Sequence, residues 1–159
     1  MTNHGYTPTI FFSNSNIFPL EEYTRRKSEL QRFLQQQGLR FVDDDYDHAQ
    51  WLTHIRGLES EPERGQRCTQ CFRFRLLRAA HYAKANGFTL FATTLASSRW
   101  KDIDQVNAAG QWAAAQVGDI DFWANNWRKG GLQERRNQLL RHYAFYNQQY
   151  CGCEFSLRN

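Results

Sequence analysis

The chain has 159 residues, of which 23% are charged and 15% aromatic, a composition that excludes a disordered class and suits one domain over 1–159 with its own core. No apolar run approaches the roughly 20 residues of a membrane helix, and the start Met1-Thr2-Asn3-His4-Gly5-Tyr6 lacks the basic-then-apolar order of a secretory signal. A cytoplasmic protein with no membrane partner is expected. The net charge is +4, carried by sixteen Arg and four Lys against the acids; Arg suits phosphate and stacks on bases, which points weakly to nucleic acid.

Short strands and longer helices are predicted in alternation. Thr9-Ile10-Phe11-Phe12 reads as a strand. A helix over about 19–37 opens on Pro19, with Glu21 and Glu22 at the positive end of its dipole and Gly38 as its stop. A strand over 39–42 ends in Asp43-Asp44-Asp45, and a short helix over about 49–56 carries Trp51, Leu52 and Ile55. The polar loop 59–67 leads into Cys68-Thr69-Gln70-Cys71 and a helix to about residue 86. Residues 88–95 are predicted as the best strand. A helix from about Asp102, a strand over 120–123 and a helix over about 132–143 complete the pattern before the tail Tyr150-Cys151-Gly152-Cys153.

This alternation predicts an α/β fold with a doubly wound, mostly parallel sheet. Ligands in such sheets sit beyond the carboxyl ends of the strands, where a polar rim collects: Ser13, Asn14 and Asn16, then Asp43, Asp44, Asp45 and Tyr46, then Thr94, Ser97, Ser98 and Lys101, then Asn125, Asn126, Arg128 and Lys129.

All four cysteines fall in two tight motifs, Cys68-x-x-Cys71 and Cys151-x-Cys153. In a reducing compartment such pairs are metal ligands or redox groups more often than staples. Three chemistries stay open: a zinc site on all four thiolates, a thioredoxin-like site at Cys68 and Cys71, and an iron–sulfur centre. A disulfide between Cys151 and Cys153 would close a very small ring, for which Gly152 supplies backbone freedom, and such a strained bond suits exchange.

Several blocks resemble the epoxyqueuosine reductases of the QueH type. They are Phe11-Phe12-Ser13-Asn14-Ser15-Asn16-Ile17 with Pro19-Leu20-Glu21-Glu22-Tyr23; the stretch from Gly57 through Cys68-Thr69-Gln70-Cys71; Thr93-Thr94-Leu95 with Ser97, Ser98 and Lys101; and the run from Tyr150 to Arg158. The resemblance implies a Rossmann-like, adenine-nucleotide α-hydrolase-like three-layer fold. It implies reduction of epoxyqueuosine to queuosine at the tRNA wobble position, with a 4Fe-4S cluster. It matches Cys68 and Cys71 to one pair of cluster ligands, and Cys151 and Cys153 to a redox-active pair. The family's first β-α unit, with a vicinal Cys-Cys, has no counterpart in this chain, so the other two ligands are expected upstream of Met1.

The reaction so implied needs two electrons and two protons. A second metal ion, iron, is expected as a Lewis acid. An electron donor and tRNA carrying epoxyqueuosine are the expected partners, with Lys101, Arg128 and Lys129 as candidate phosphate contacts and Trp100, Trp123 and Trp127 as candidate stacking surfaces. Asp43, Asp44, Asp45, Tyr46 and His48 are the candidate proton donors. The rival readings are a zinc-stabilised RNA-binding module and a thiol–disulfide oxidoreductase.

Overall fold

Parallel strands need long crossovers, and the chain supplies them as helices. In the computed structural model, which describes residues 4–157, β1 (Ile10–Phe12) leads through α1 (Leu20–Gln37) to β2 (Phe41–Asp43). Then come α2 (His48–His54), α3 (Gln66–Ala85), β3 (Leu90–Phe91), a 3-10 turn (Thr94–Ser97), α4 (Ile103–Val117), β4 (Asp121–Phe122), α5 (Leu132–His142) and a last 3-10 turn (Glu154–Ser156). Arg158, which ends the C-terminal block quoted above, lies outside the described residues.

The helix boundaries follow local chemistry. Gly38 adopts the left-handed conformation that closes α1. Asp47 accepts the Gln50 N–H at the start of α2, and Asp102 accepts those of Asp104 and Gln105 at the start of α4. The stretch 88–95 is not one long strand: only Leu90 and Phe91 pair, because the Thr93 hydroxyl accepts the Leu95 N–H and turns the backbone into a 3-10 turn.

The strands form two parallel pairs. Ile10 lies opposite Phe41 and Phe12 opposite Asp43; Leu90 lies opposite Asp121 and Phe91 opposite Phe122. The α/β, Rossmann-like class is as expected, but the described strands make two ribbons where one sheet was predicted. A cleft of about 2120 Å³ runs between them, lined by β1 and β3 and by residues of α1, α3 and α5.

The main core joins Phe72, Leu76, Ala80 and Ala83 of α3 to Val106, Ala109 and Ala113 of α4, beneath Phe91 and Ile120. Close approach there requires Gly110, since a Cβ at that position would run into the Phe122 ring. A second cluster joins Trp51 and Ile55 to Cys71, Phe74 and Cys153, and a third joins Phe12, Ile17 and Tyr23. α5 contributes no buried residue. It is tethered through Tyr143, which meets the Phe33 ring at 5.0 Å and accepts a hydrogen bond from Gln37 at 3.1 Å. No described helix is long and apolar enough to cross a membrane.

Candidate active site

Cys68 and Cys71 project from the first turns of α3, three residues apart and so on one helix face. The loop before them is tied to the helix start. Glu61 accepts the Gln66 N–H at 3.0 Å, and a Cβ on Gly65 would sit 2.7 Å from that carboxylate. The buried Arg67 side chain donates to the carbonyls of Glu59 and Glu61. The Arg64 N–H donates to Cys68 Sγ at 3.3 Å. Burial pushes both thiols up from the ordinary range. Arg64 N–H, Lys101 and Arg67 oppose this at Cys68, and Arg75, Trp51 and Lys101 oppose it at Cys71.

Trp51 is fully buried, yet its indole N–H has no conventional hydrogen-bond partner. The group it acts on is the Cys71 sulfur, whose thiolate form it favours. The side-chain oxygen of Asn16 is also buried and unpaired.

The tail brings the second pair. Gly152 has φ of 111°, which L side chains rarely adopt, and a Cβ there would lie 2.8 Å from Ile17 Cγ1. Arg26 of α1 donates to the carbonyls of Cys151 and Tyr150 at 3.1 and 2.9 Å. Cys151 Sγ lies 3.0 Å from the Ser156 hydroxyl, which also reaches the Cys153 carbonyl at 2.7 Å, so its single hydrogen serves one of them at a time. All four cysteines are free thiols.

The members of the tail pair differ in character. Cys151 is held well below the ordinary thiol range, first by the hydrogen bond from the Cys153 thiol, then by Lys101 and Ser156, against the cost of burial. Cys153 is buried and pushed up, because its hydrogen is committed to Cys151. One thiolate that the other thiol supports is the form in which a dithiol attacks.

The two motifs meet. Cys68, Cys71, Cys151 and Cys153 line one cavity of about 20 Å³, with Asn16, Trp51, Lys101 and Ser156 among its other walls. Cys68, Cys151 and Lys101 also face the large cleft. Lys101 therefore sits with the cysteines, its ammonium 5.5 Å from the Phe72 ring centroid. Arg128 lines the cleft and bonds Asn126. Lys129 is exposed and lines neither space. Among the candidate stacking surfaces, Trp100 and Trp123 line the cleft, whereas Trp127 packs on the main core.

The acidic rim after β2 is placed elsewhere. Asp43 pairs with Lys27 and accepts from Tyr23, Asp44 is gripped by Arg78 and Ser13, and the Tyr46 hydroxyl donates to the Ile17 carbonyl. His48 lies between the Ser15 carbonyl and Glu154. None of Asp43, Asp44, Asp45, Tyr46 and His48 lines either space. Sequence reading did not single out Arg26, Trp51 or Ser156 for the site. Arg26 falls four residues after Glu22 on a polar helix, which reads as a surface ion pair.

An iron–sulfur cluster takes thiolate ligands and hydrogen bonds to its sulfurs. Cys68 and Cys71, with the unpaired Trp51 N–H beside them, fit two ligand positions of such a group. Among the described residues no three His, Cys, Asp or Glu side chains are placed to hold one metal ion, so the fit covers half a four-thiolate set and does not extend to a zinc site on all four cysteines.

The family model described as "Epoxyqueuosine reductase QueH" matches residues 1–159. Three relatives carry that same description. One from Histophilus somni is 48% identical over 155 residues, 98% of this chain and 64% of the relative. One from Haemophilus influenzae is 47% identical, covering 98% and 63%. One from Acinetobacter baylyi is 46% identical, covering 98% and 71%. The chain thus spans 63% to 71% of the length of these relatives. It belongs to the epoxyqueuosine reductase QueH family.

Proposed function

We propose that this chain carries the thiol centre of an oxidoreductase that reduces epoxyqueuosine in tRNA to queuosine, acting in the cytoplasm with a separate electron donor. The observation that carries the reading is the convergence of Cys68 and Cys71 with Cys151 and Cys153 on one cavity beside a cation-lined cleft.

The reaction removes the epoxide oxygen as water and leaves an alkene, consuming two electrons and two protons. Oxidation of the Cys151 thiolate and the Cys153 thiol to a disulfide releases two electrons and one proton, and water supplies the second proton, so the sums balance. Cys151 supplies the thiolate and Cys153 holds the proton beside it. Lys101 keeps the centre electropositive. A 4Fe-4S cluster, for which Cys68 and Cys71 would be two ligands, supplies one-electron transfer when bound. On the cleft wall Arg128 is suited to a phosphate of the RNA, and Trp100 and Trp123 offer ring faces to an unstacked base.

The thioredoxin-like alternative at Cys68 and Cys71 fits less well, since burial favours the neutral form of both thiols while the accessible thiolate is at Cys151.

The test incubates the protein anaerobically with tRNA carrying epoxyqueuosine and a low-potential reductant, then digests the RNA for mass analysis. Loss of one oxygen atom from the modified nucleoside is expected, and Cys151→Ser should abolish it. Intact epoxide, in a preparation whose Cys151–Cys153 pair still oxidises and reduces, would sink the reading.

A further inference from the structure

We infer that Arg26 is the positioning residue for the Cys151-Gly152-Cys153 segment, acting through the carbonyls on either side of the Cys151 α-carbon. The inference rests on the reading of Cys151 and Cys153 as a redox couple.

Three arms of one guanidinium are engaged. Nε donates to Glu22 Oε1 at 2.7 Å, Nη1 to the Cys151 carbonyl at 3.1 Å and Nη2 to the Tyr150 carbonyl at 2.9 Å. Its carbon lies 5.1 Å from the Tyr150 ring centroid. The residue is 7% exposed. An arginine that only balanced Glu22 on a helix surface would be solvated and would face its acid alone.

The two bonded carbonyls belong to the peptide planes on either side of the Cys151 α-carbon. Holding both planes sets the direction of its Cα–Cβ bond, and with it the approach of Sγ to Ser156 and Cys153. The same segment is held at the next residue, where the Gly152 carbonyl accepts the Phe18 N–H at 2.9 Å. Space is tight as well, since a Cβ on Gly152 would come within 3.1 Å of Arg26 Nη1. A planar fork can serve two adjacent carbonyls at once, and a lysine ammonium lacks that geometry.

The arrangement held in this way is the dithiol. Oxidation forms the Sγ–Sγ bond; two electrons and the Cys153 proton leave for the acceptor, which in the proposed reaction is the epoxide, and water supplies the second proton. Arg26 neither gives nor takes any of them. By fixing the segment in its dithiol geometry, it favours the reduced form and keeps Cys151 as the thiol presented for attack.

The experiment compares wild type with Arg26→Lys and Arg26→Gln, the second leaving no charge in place of the guanidinium. Pulse alkylation with iodoacetamide, read by peptide mass, gives the labelling ratio of Cys151 to Cys153. Equilibration in glutathione buffers gives the dithiol–disulfide constant of the pair. In both variants the labelling ratio should fall several-fold. The constant should move about tenfold toward disulfide, about 30 mV for two electrons, with circular dichroism unchanged. Lysine should rescue neither readout, although it restores charge. A variant that folds and keeps the wild-type ratio and constant would overturn the inference. A wild-type pair that never interconverts in glutathione would instead overturn the redox reading, and the labelling ratio would still judge Arg26.

Discussion

Nε2 of His48 lies 3.0 Å from Oε1 of Glu154, the residue that follows Cys153. The other ring nitrogen faces the Ser15 carbonyl at 2.8 Å, and the ring stacks near Phe18 and Trp51. The tail is therefore fastened at both ends of its dithiol, by Arg26 before it and by His48 after it. Glu154→Gln should lower stability by about 1 kcal/mol, as expected for a partly buried hydrogen bond to a charged group that a neutral acceptor replaces. It should also speed alkylation of Cys153, which is now buried. Denaturant titration and peptide mapping check both effects.

The thiolate of Cys151 makes a pH prediction with a definite sign. A lowered folded-state pKa keeps the group charged at and above neutrality, and the associated stability is lost as pH falls through the lowered value. Alkylation of Cys151 should therefore change less than about threefold between pH 8 and pH 6, whereas an ordinary thiol slows on the order of 80-fold. Cys153→Ala removes the thiol hydrogen bond that is the largest cause, and should steepen the profile. A wild-type profile as steep as that of free cysteine would contradict the assignment.

The cations of the rim should separate in RNA binding. Arg128 faces the cleft, whereas Lys129 lines neither the cleft nor the thiol cavity. Arg128→Ala should weaken tRNA binding and reduce the slope of log K against log salt by about 1, and Lys129→Ala should leave the slope unchanged. Filter binding across a salt series measures both.

Packing of α4 gives a prediction independent of the chemistry. Alanine is favoured over glycine by about 1 kcal/mol within a helix. At Gly110, however, the added methyl meets the Phe122 ring. Overpacking of this kind costs about 1–3 kcal/mol and outweighs the propensity gain, so Gly110→Ala should destabilise the protein by up to about 2 kcal/mol in thermal or urea unfolding.

Trp51 separates a packing role from a polar one. The side chain is fully buried, so Trp51→Ala should cost about 3–5 kcal/mol. Its N–H has no conventional partner, so Trp51→Phe should forfeit little beyond packing volume, about 1–2 kcal/mol by urea titration of metal-free protein.

Much was legible in the chain itself. Helical and strand periodicity, Gly38 as a stop and Asp102 at a helix start are local properties, so the α/β class and the helices could be read from neighbours along the sequence. The spacing of Cys68 with Cys71 and of Cys151 with Cys153 marked them as chemical groups for the same reason. What the sequence could not decide was which distant residues meet. Arg26 and Cys151 are 125 positions apart, and only the packing of the tail on α1 turns an apparent surface ion pair into a clamp. The acidic run after β2 stood out by composition, yet folding commits Asp43 and Asp44 to Lys27 and Arg78, away from the cysteines. Lys101 was a candidate contact for phosphate, and it lines both the cleft and the cavity that places its charge beside thiols. Local propensity acts through adjacent backbone, whereas the electrostatics of a site depend on distances through space, and those exist only once the core has closed.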